Sequence, residues 1–387
     1  MVVVYACAYA IFGVLSPFAP IWFAIRGYSA TEIGLLIATP LLARAVTAPI
    51  LAQAVRRWGP RSVLRLVGFV AAVAMFTVAS LPKSIVIAPL WVVTSCGLQF
   101  CGPLLDVLTF PASGNGRLIY GHLRAVGSAS YVGATLVVGV LVGLWDSRVI
   151  PIWICVFSLG LSALASILPT KVTESIAPLP LLIGLDTKPG SNRTIILLTA
   201  SVSGLVLASH GFYALAPIVW RAQGFSSAAV GALWSIGVVA DFLILLFGQQ
   251  FRSRVAPERI LILGSVAAMM RWALYSTSPG LLLIVAGQLA HAVTLTSVLY
   301  ASLQLIHRFS SDGRFLTNQA ANWGIGTGLL LGASQLLSSW LYSTIHAVGY
   351  LIMILPAFFG LLLSIALSIV IATRQTAASD DAPSQLY

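Results

Sequence analysis

Charge is what this 387-residue chain has least of: Asp, Glu, Lys and Arg together make up 8% of it. A soluble domain carries about 25%, so these charges are too few to cover a water-facing surface of this size. Acids are scarcer still, 10 against 21 Lys and Arg. The net charge of +11 does not read as nucleic-acid binding, because the basic residues sit between apolar runs, where they set orientation in a bilayer. Only four cysteines occur, Cys7, Cys96, Cys101 and Cys155. All fall inside apolar runs and read as small buried side chains, not as a disulfide framework or metal ligands. A phosphate-cradling Gly-rich loop, a His/Cys metal spacing and a nucleotide-binding domain are all missing. Their absence speaks against an enzyme, a bound metal or cofactor, and ATP-driven transport. The first apolar run lacks a basic leader and a small-residue cleavage site, so it reads as a span and not as a signal peptide.

What the chain has in quantity is apolar sequence, 59% of all residues. Runs of about 20 apolar residues recur from end to end, each long enough to cross roughly 30 Å of hydrocarbon. No water satisfies backbone groups there, which leaves helices or a closed barrel. The runs are continuous, not alternating, and so predict helices. Spans are expected near 3–25, 33–55, 62–80, 85–106, 121–143, 149–168, 194–220, 229–250, 259–276, 281–304, 315–340 and 347–372. The expected fold is an all-α membrane protein of twelve transmembrane helices. The longest polar interruption, 170–193, contains Pro178, Pro180, Pro189 and Gly190 and reads as a linker. It separates a bundle over 1–169 from a second over 194–373, and the polar residues 374–387 read as a disordered tail. Of the 21 Lys and Arg, three (Arg44, Arg124, Arg271) lie inside spans. Arg26, Lys83, Arg148 and Arg221 fall on one side of the membrane and the other fourteen on the side of both termini. That bias predicts cytoplasmic termini.

The two halves repeat at a constant offset of 197 residues. Gly27-Tyr28-Ser29 matches Gly224-Phe225-Ser226, Gly34 matches Gly231, and Pro20 and Pro60 match Pro217 and Pro257. Gln53 matches Gln250, Arg117 matches Arg314 and Gly127 matches Gly324. Parallel six-span repeats are the signature of transporters that rock two halves around a central site.

The buried charges do not repeat. Only Asp106 and Asp241 among the acids lie within or at the edge of spans. A charge at a helix centre costs roughly 2.5–3.5 kcal/mol on insertion scales and is a functional candidate by default. Arg44 and Asp241 occupy equivalent repeat positions, so they form either a structural ion pair between the halves or a switch in which Asp241 accepts a proton. Arg124 either snorkels to the surface or, with Asp106 and Tyr131, grips a polar or carboxylated ligand, the fork binding oxygens and the ring stacking. His291 and Arg271 lie in the tenth and ninth spans. A lone His there is either an interhelical hydrogen bond or part of a proton path. His210, Tyr213, Gln288, Gln319 and Asn322 add polarity to the second half, and Trp22, Trp234 and Trp272 read as packing or interface anchors.

The segment Tyr120-Gly121-His122-Leu123-Arg124-Ala125-Val126-Gly127-Ser128 resembles the start of the fifth helix in the lactose-permease-like branch of the major facilitator superfamily. Asp106 matches the acid of that branch's fourth helix. Arg271 and His291 keep the spacing of its Arg and His in helices nine and ten, and Asp241 matches the acid of helix eight. The run from Gly224 to Ala240 looks especially like the 3-phenylpropionate permease group. The resemblance implies proton symport, with Asp106 and Arg124 binding substrate and Asp241, Arg271 and His291 coupling it to protons. Sugar permeases of the branch have a Glu where this chain has Thr294, a Lys at Gln288 and a Trp at Tyr131. The loop motif between helices two and three is degraded to Ala54-Val55-Arg56-Arg57. These departures argue against lactose.

The expectation is a monomeric, proton-coupled symporter of a small organic solute, an aromatic carboxylate of phenylpropionate type, in a bacterial-type inner membrane. Substrate contacts are assigned to Asp106, Arg124, Tyr131, Gln288, Gln319 and Asn322, and proton coupling to Asp241, Arg271 and His291. A nucleoside or sugar symporter, an efflux carrier and a non-transporting membrane sensor are the alternatives.

Overall fold

The structure, a computed structural model, describes residues 1–109, 116–168, 192–248, 254–310 and 315–380. Among the described residues every regular element is a helix. Among the described residues the helices group into twelve consecutive segments, as the twelve-span fold requires. The first half holds α1 (Val2–Ile25), α2 (Ala30–Trp58), α3 (Pro60–Ser80), α4 (Ile87–Thr109), α5 (Gly116–Leu144) and α6 (Val149–Leu164). The second holds α7 (Arg193–Ala222), α8 (Ser227–Phe247), α9 (Pro257–Ser276), α10 (Leu281–Phe309), α11 (residues 315–345) and α12 (Ile354–Asp380). Eight helices, in α1, α3, α5, α6, α7, α8, α10 and α12, are long and apolar enough to cross a membrane by length and composition. Helix α12 runs on past Arg374 to Asp380, where the sequence reading placed a disordered tail, because no Pro or Gly interrupts the chain between Gly360 and Pro383. The linker read at 170–193 falls almost wholly outside the described residues, as does the rest of the tail.

The repeated tripeptide explains itself in the turns. Gly27 and Gly224 have φ of 78° and 93°, a left-handed conformation that costs glycine nothing. The Gly27 amide donates to the Ala24 carbonyl and the Tyr28 amide to Phe23, and Gly224 and Phe225 donate to Arg221 and Trp220 in the same pattern. This is the Schellman ending of a helix. The serine that follows then caps the next helix, Ser29 accepting from the Glu32 amide and Ser226 from the Ala229 amide. Each α1–α2 and α7–α8 connection is thus a stop signal and a start signal in three residues. Pro60 and Pro257 likewise sit in the first turn of α3 and α9, where a missing N–H costs nothing.

Packing follows the repeat. Helix α1 packs on α5 and α6, and α3 on α4 and α6; α7 packs on α11 and α12, and α9 on α10 and α12. The halves meet through α5 against α8 and α2 against α11, which are equivalent pairs under the repeat. Small residues let the backbones approach. A Cβ on Gly231 would stand 2.8 Å from the Thr135 carbonyl oxygen, and one on Gly139 2.9 Å from that of Ser227. At the equivalent place in the other pair, a Cβ on Gly34 would collide with Ser339. These contacts lie toward the membrane face that carries the two glycine turns, here called the turn face.

The halves differ in continuity. Three spans of the second half are interrupted near mid-membrane. Helix α7 turns at Ser209–His210 and passes through a 3₁₀ stretch, Gly211–Leu215. Helix α10 breaks around the short helix His291–Thr294, with Leu295 at φ −113°, ψ −72°. Helix α11 is π-helical over Gly324–Leu330.

Candidate functional site

Between the halves lies a cavity of about 350 Å³. Phe12, Ser16, Leu36, Pro40, Trp91, Ser95 and Gln99 line it from α1, α2 and α4. His210, Tyr213, Trp234, His291, Leu295 and Gln335 line it from α7, α8, α10 and α11. The breaks in α7 and α10 both open onto it, through His210, Tyr213, His291 and Leu295. Broken spans at the centre of such repeats free backbone and side-chain polarity for a ligand. The size suits a small solute, and the four aromatic rings from Phe12, Trp91, Tyr213 and Trp234 favour a flat apolar body.

Behind the second-half wall sits Arg271, on α9 and only 2% exposed. A buried cation is costly unless paired and hydrogen-bonded. Its Nη1 donates to His291 Nδ1 at 3.0 Å and to Thr294 Oγ1 at 3.4 Å, and Nη2 donates to Gln288 Oε1 at 3.1 Å. Its guanidinium carbon stands 4.6 Å from the ring centroids of both Tyr213 and Trp272 and 5.3 Å from that of Tyr275, a cation–π cage. Gln288 is held on every side: the Tyr213 hydroxyl donates to its Oε1 at 2.8 Å, and its Nε2 donates to the Leu233 carbonyl at 2.9 Å.

Donor and acceptor logic fixes the histidine. Guanidinium only donates, so His291 Nδ1 carries a lone pair. The imidazole proton is then on Nε2, which faces Asp241 Oδ2 at 3.6 Å. The other oxygen, Oδ1, accepts from the Thr296 hydroxyl at 2.7 Å. His210 carries the opposite tautomer, its Nδ1 donating to the Val206 carbonyl at 2.9 Å and its Nε2 lying 3.1 Å from Thr294 Oγ1. A second proton on His291 would have to displace the Arg271 hydrogen bond. A proton on Asp241 leaves the hydrogen bonds of Arg271 in place.

A hydrogen bond crosses the interface beside the cavity. Trp234 of α8 donates from Nε1 to the Tyr131 hydroxyl of α5 at 2.9 Å. The Trp234 ring stacks on Tyr213, with centroids 4.8 Å apart and planes at 11°. Tyr131 is thereby linked through Trp234, Tyr213 and Gln288 to Arg271.

The structure gathers Asp241, Arg271, His291 and Gln288 into this cluster, and Tyr131 at its edge. Gln288 stands one hydrogen bond behind the wall, not on it, because its three neighbours fill its polar atoms. Asn322, 2% exposed, accepts from the Ser203 hydroxyl at 2.7 Å, and neither it nor the half-buried Gln319 lines the cavity. Asp106 and Arg124 belong to α4 and α5, but their side chains fall outside the described residues. Arg44 lies on α2 near Cys96, and among the described ion pairs Asp241 meets His291. Reading the sequence alone left out Trp91, Ser95, Gln99 and Gln335. The spacing of the first three, four residues apart on one helix face, is the signal that could have found them.

Comparison with known proteins gives a consistent set. The model of the MFS_1 like family matches residues 1–352. A protein described as a probable 3-phenylpropionic acid transporter, from Escherichia coli K12, is 26% identical over 360 residues, covering 90% of this chain and 93% of its own. An uncharacterized transporter, YwbF of Bacillus subtilis 168, is 27% identical over 238 residues, covering 58% and 56%. Among solved structures, the nucleoside transporter NupG superposes with a TM-score of 0.76 at 15% identity, covering 96% of this chain and 98% of that one. A D-xylose-proton symporter superposes with a TM-score of 0.66 at 13% identity, covering 95% and 96%.

Proposed function

We propose that this chain, which belongs to the MFS_1 like family of multi-pass membrane transporters, is a proton-coupled symporter of small aromatic carboxylates. The observation that carries the reading is the cavity with four aromatic rings backed by the buried Arg271–His291–Asp241 cluster. Rings accept a phenyl body, and the cation behind the wall offsets a carboxylate. The probable 3-phenylpropionic acid transporter among its relatives supports the same substrate class. By the resemblance in α5, Arg124 with Asp106 offers a second grip on the acid.

The coupling runs through Asp241. With Arg271 holding the His291 lone pair, Asp241 is the group that takes a proton without breaking the cluster. Protonation removes the negative partner of the imidazole N–H and leaves Arg271 more positive in effect, which favours an anion in the cavity. Substrate and proton then bind together and leave together, as symport requires. The cavity lies between two halves of one chain, so a monomer is sufficient. With both termini cytoplasmic and the chain in a bacterial-type inner membrane, the turn face is external and the glycine contacts close that side.

Reconstituted protein in liposomes tests the reading. Labelled 3-phenylpropionate should accumulate when the exterior is acidified and should stop doing so with a protonophore. Uridine and xylose should fail to compete. Competition by uridine or xylose but not by aromatic acids would replace the carboxylate with a neutral polyol, and accumulation indifferent to the protonophore would remove the proton.

A further inference from the structure

Where α4 and α11 line the cavity, the wall carries hydrogen-bonding capacity that the described residues do not use. Ser95 Oγ, Gln99 Oε1 and Gln335 Oε1 are buried atoms without a hydrogen-bond partner among the described residues, and all three residues line the cavity. Ser95 is 2% and Gln335 9% exposed. Buried polar groups are nearly always paired, and the contrast inside this cavity is sharp. On the wall formed by α7 and α10, His210 and His291, with Gln288 behind them, are tied to neighbours through hydrogen bonds of 2.8–3.1 Å. On α4 the indole N–H of Trp91, one turn before Ser95, is also spent, on the Leu36 carbonyl at 3.0 Å. Gln335 joins the α4 pair from α11, at the place where that span packs on α2.

We infer that Ser95, Gln99 and Gln335 form a neutral polar subsite for a hydroxyl group on the substrate. The inference rests on the carboxylate reading above for the rest of the ligand. Two carboxamides and a hydroxyl, with no charge among them, repay nothing to an ion. Amide oxygens repel a carboxylate and call for a donor. A hydroxyl serves an amide in either orientation, since it both donates and accepts. The acid group therefore lies toward His291, and the hydroxyl at the far end of the ring from it. The substrate is a ring-hydroxylated aromatic acid, and its unsubstituted parent leaves these three groups unpaired. A site built to bond a hydroxyl discriminates strongly against the analogue without one.

The test measures binding of 3-phenylpropionate, its ring-hydroxylated analogues and uridine to purified full-length protein, by calorimetry. Wild-type protein should bind one hydroxylated acid at least tenfold tighter than the parent. Gln99→Leu and Gln335→Leu should each reduce that preference severalfold. Ser95→Ala, the mildest change, should reduce it less and serves if the leucine variants fold poorly. Equal affinities for parent and hydroxylated acids in the wild type would overturn the subsite and leave the carboxylate reading standing. Binding of uridine but of neither acid, lost on Gln99→Leu, would uphold the subsite and overturn the carboxylate. No binding of any hydroxylated probe would overturn the subsite.

Discussion

The two halves share a fold and differ in what they do with polarity. In the first half, α1 to α5 are each a single unbroken helix, and Ser95 and Gln99 of α4 bring to the cavity oxygens that no described residue bonds. In the second half, α7, α10 and α11 are interrupted, and the polar residues at the breaks in α7 and α10 join a cluster around Arg271, while Gln335 of α11 stays outside it. The contrast teaches that a repeat can keep its helix order while placing chemistry on one side. Around Arg271 the polar residues are committed to holding a charge, whereas Ser95, Gln99 and Gln335 keep groups available to a ligand.

Variants in the cluster separate the halves most strongly. Asp241→Asn should abolish accumulation driven by a proton gradient, a loss of 100-fold or more, while labelled-substrate exchange across equal concentrations continues. Uptake and exchange assays on the same vesicles check this. Loss of both together would make Asp241 a structural residue. Arg271→Met should come next. It removes three hydrogen bonds to a charged group and three ring contacts, and hydrogen bonds to charges contribute about 1.5–3 kcal/mol each. We expect a lower thermal midpoint and no transport. Arg271→Lys should restore little, because an ammonium does not reproduce the planar fork held between His291 and Gln288.

Variants between the halves should act more gently and symmetrically. Gly34→Val and Gly231→Val should each hold the turn face apart, the first against Ser339 and the second against the Thr135 carbonyl. Accessibility of cysteines placed beyond the contact should rise for both, and a response from one alone would break the symmetry of the gate. Smallest of all is Trp234→Phe, which keeps the stack on Tyr213 and deletes the hydrogen bond to Tyr131. That bond is neutral and is worth about 1 kcal/mol, or roughly fivefold in the equilibrium between open and closed turn faces. Tyr131→Phe, which also removes the Ser16 contact, should shift it in the same direction, and the double variant should fall short of the sum of the two.

Much of this fold is legible in the sequence. Long apolar runs announce the spans, and Gly27-Tyr28-Ser29 with its copy at Gly224 announces the repeat, because stop and start signals need particular residues. The interruptions in α7 and α10 are not legible, since a break inside a long apolar run leaves its composition unchanged. The cluster was half legible. Asp241, Arg271 and His291 stand out as charges where charge is costly, but the use of Gln288 as a strut depends on who its neighbours are. Trp234 read as a packing anchor, and only its bond to Tyr131 shows it spanning the interface. Ser95, Gln99 and Gln335 carry no charge and so gave no alarm.

The most direct measurement of the central claim is proton movement itself. Vesicles loaded with a pH-reporting dye, at equal pH inside and out, should acidify internally when 3-phenylpropionate or its preferred hydroxylated analogue is added outside. Asp241→Asn vesicles should take up the same substrate by exchange with no change in dye signal. A full proton signal in Asp241→Asn, or substrate entry without any signal in the wild type, would contradict the account.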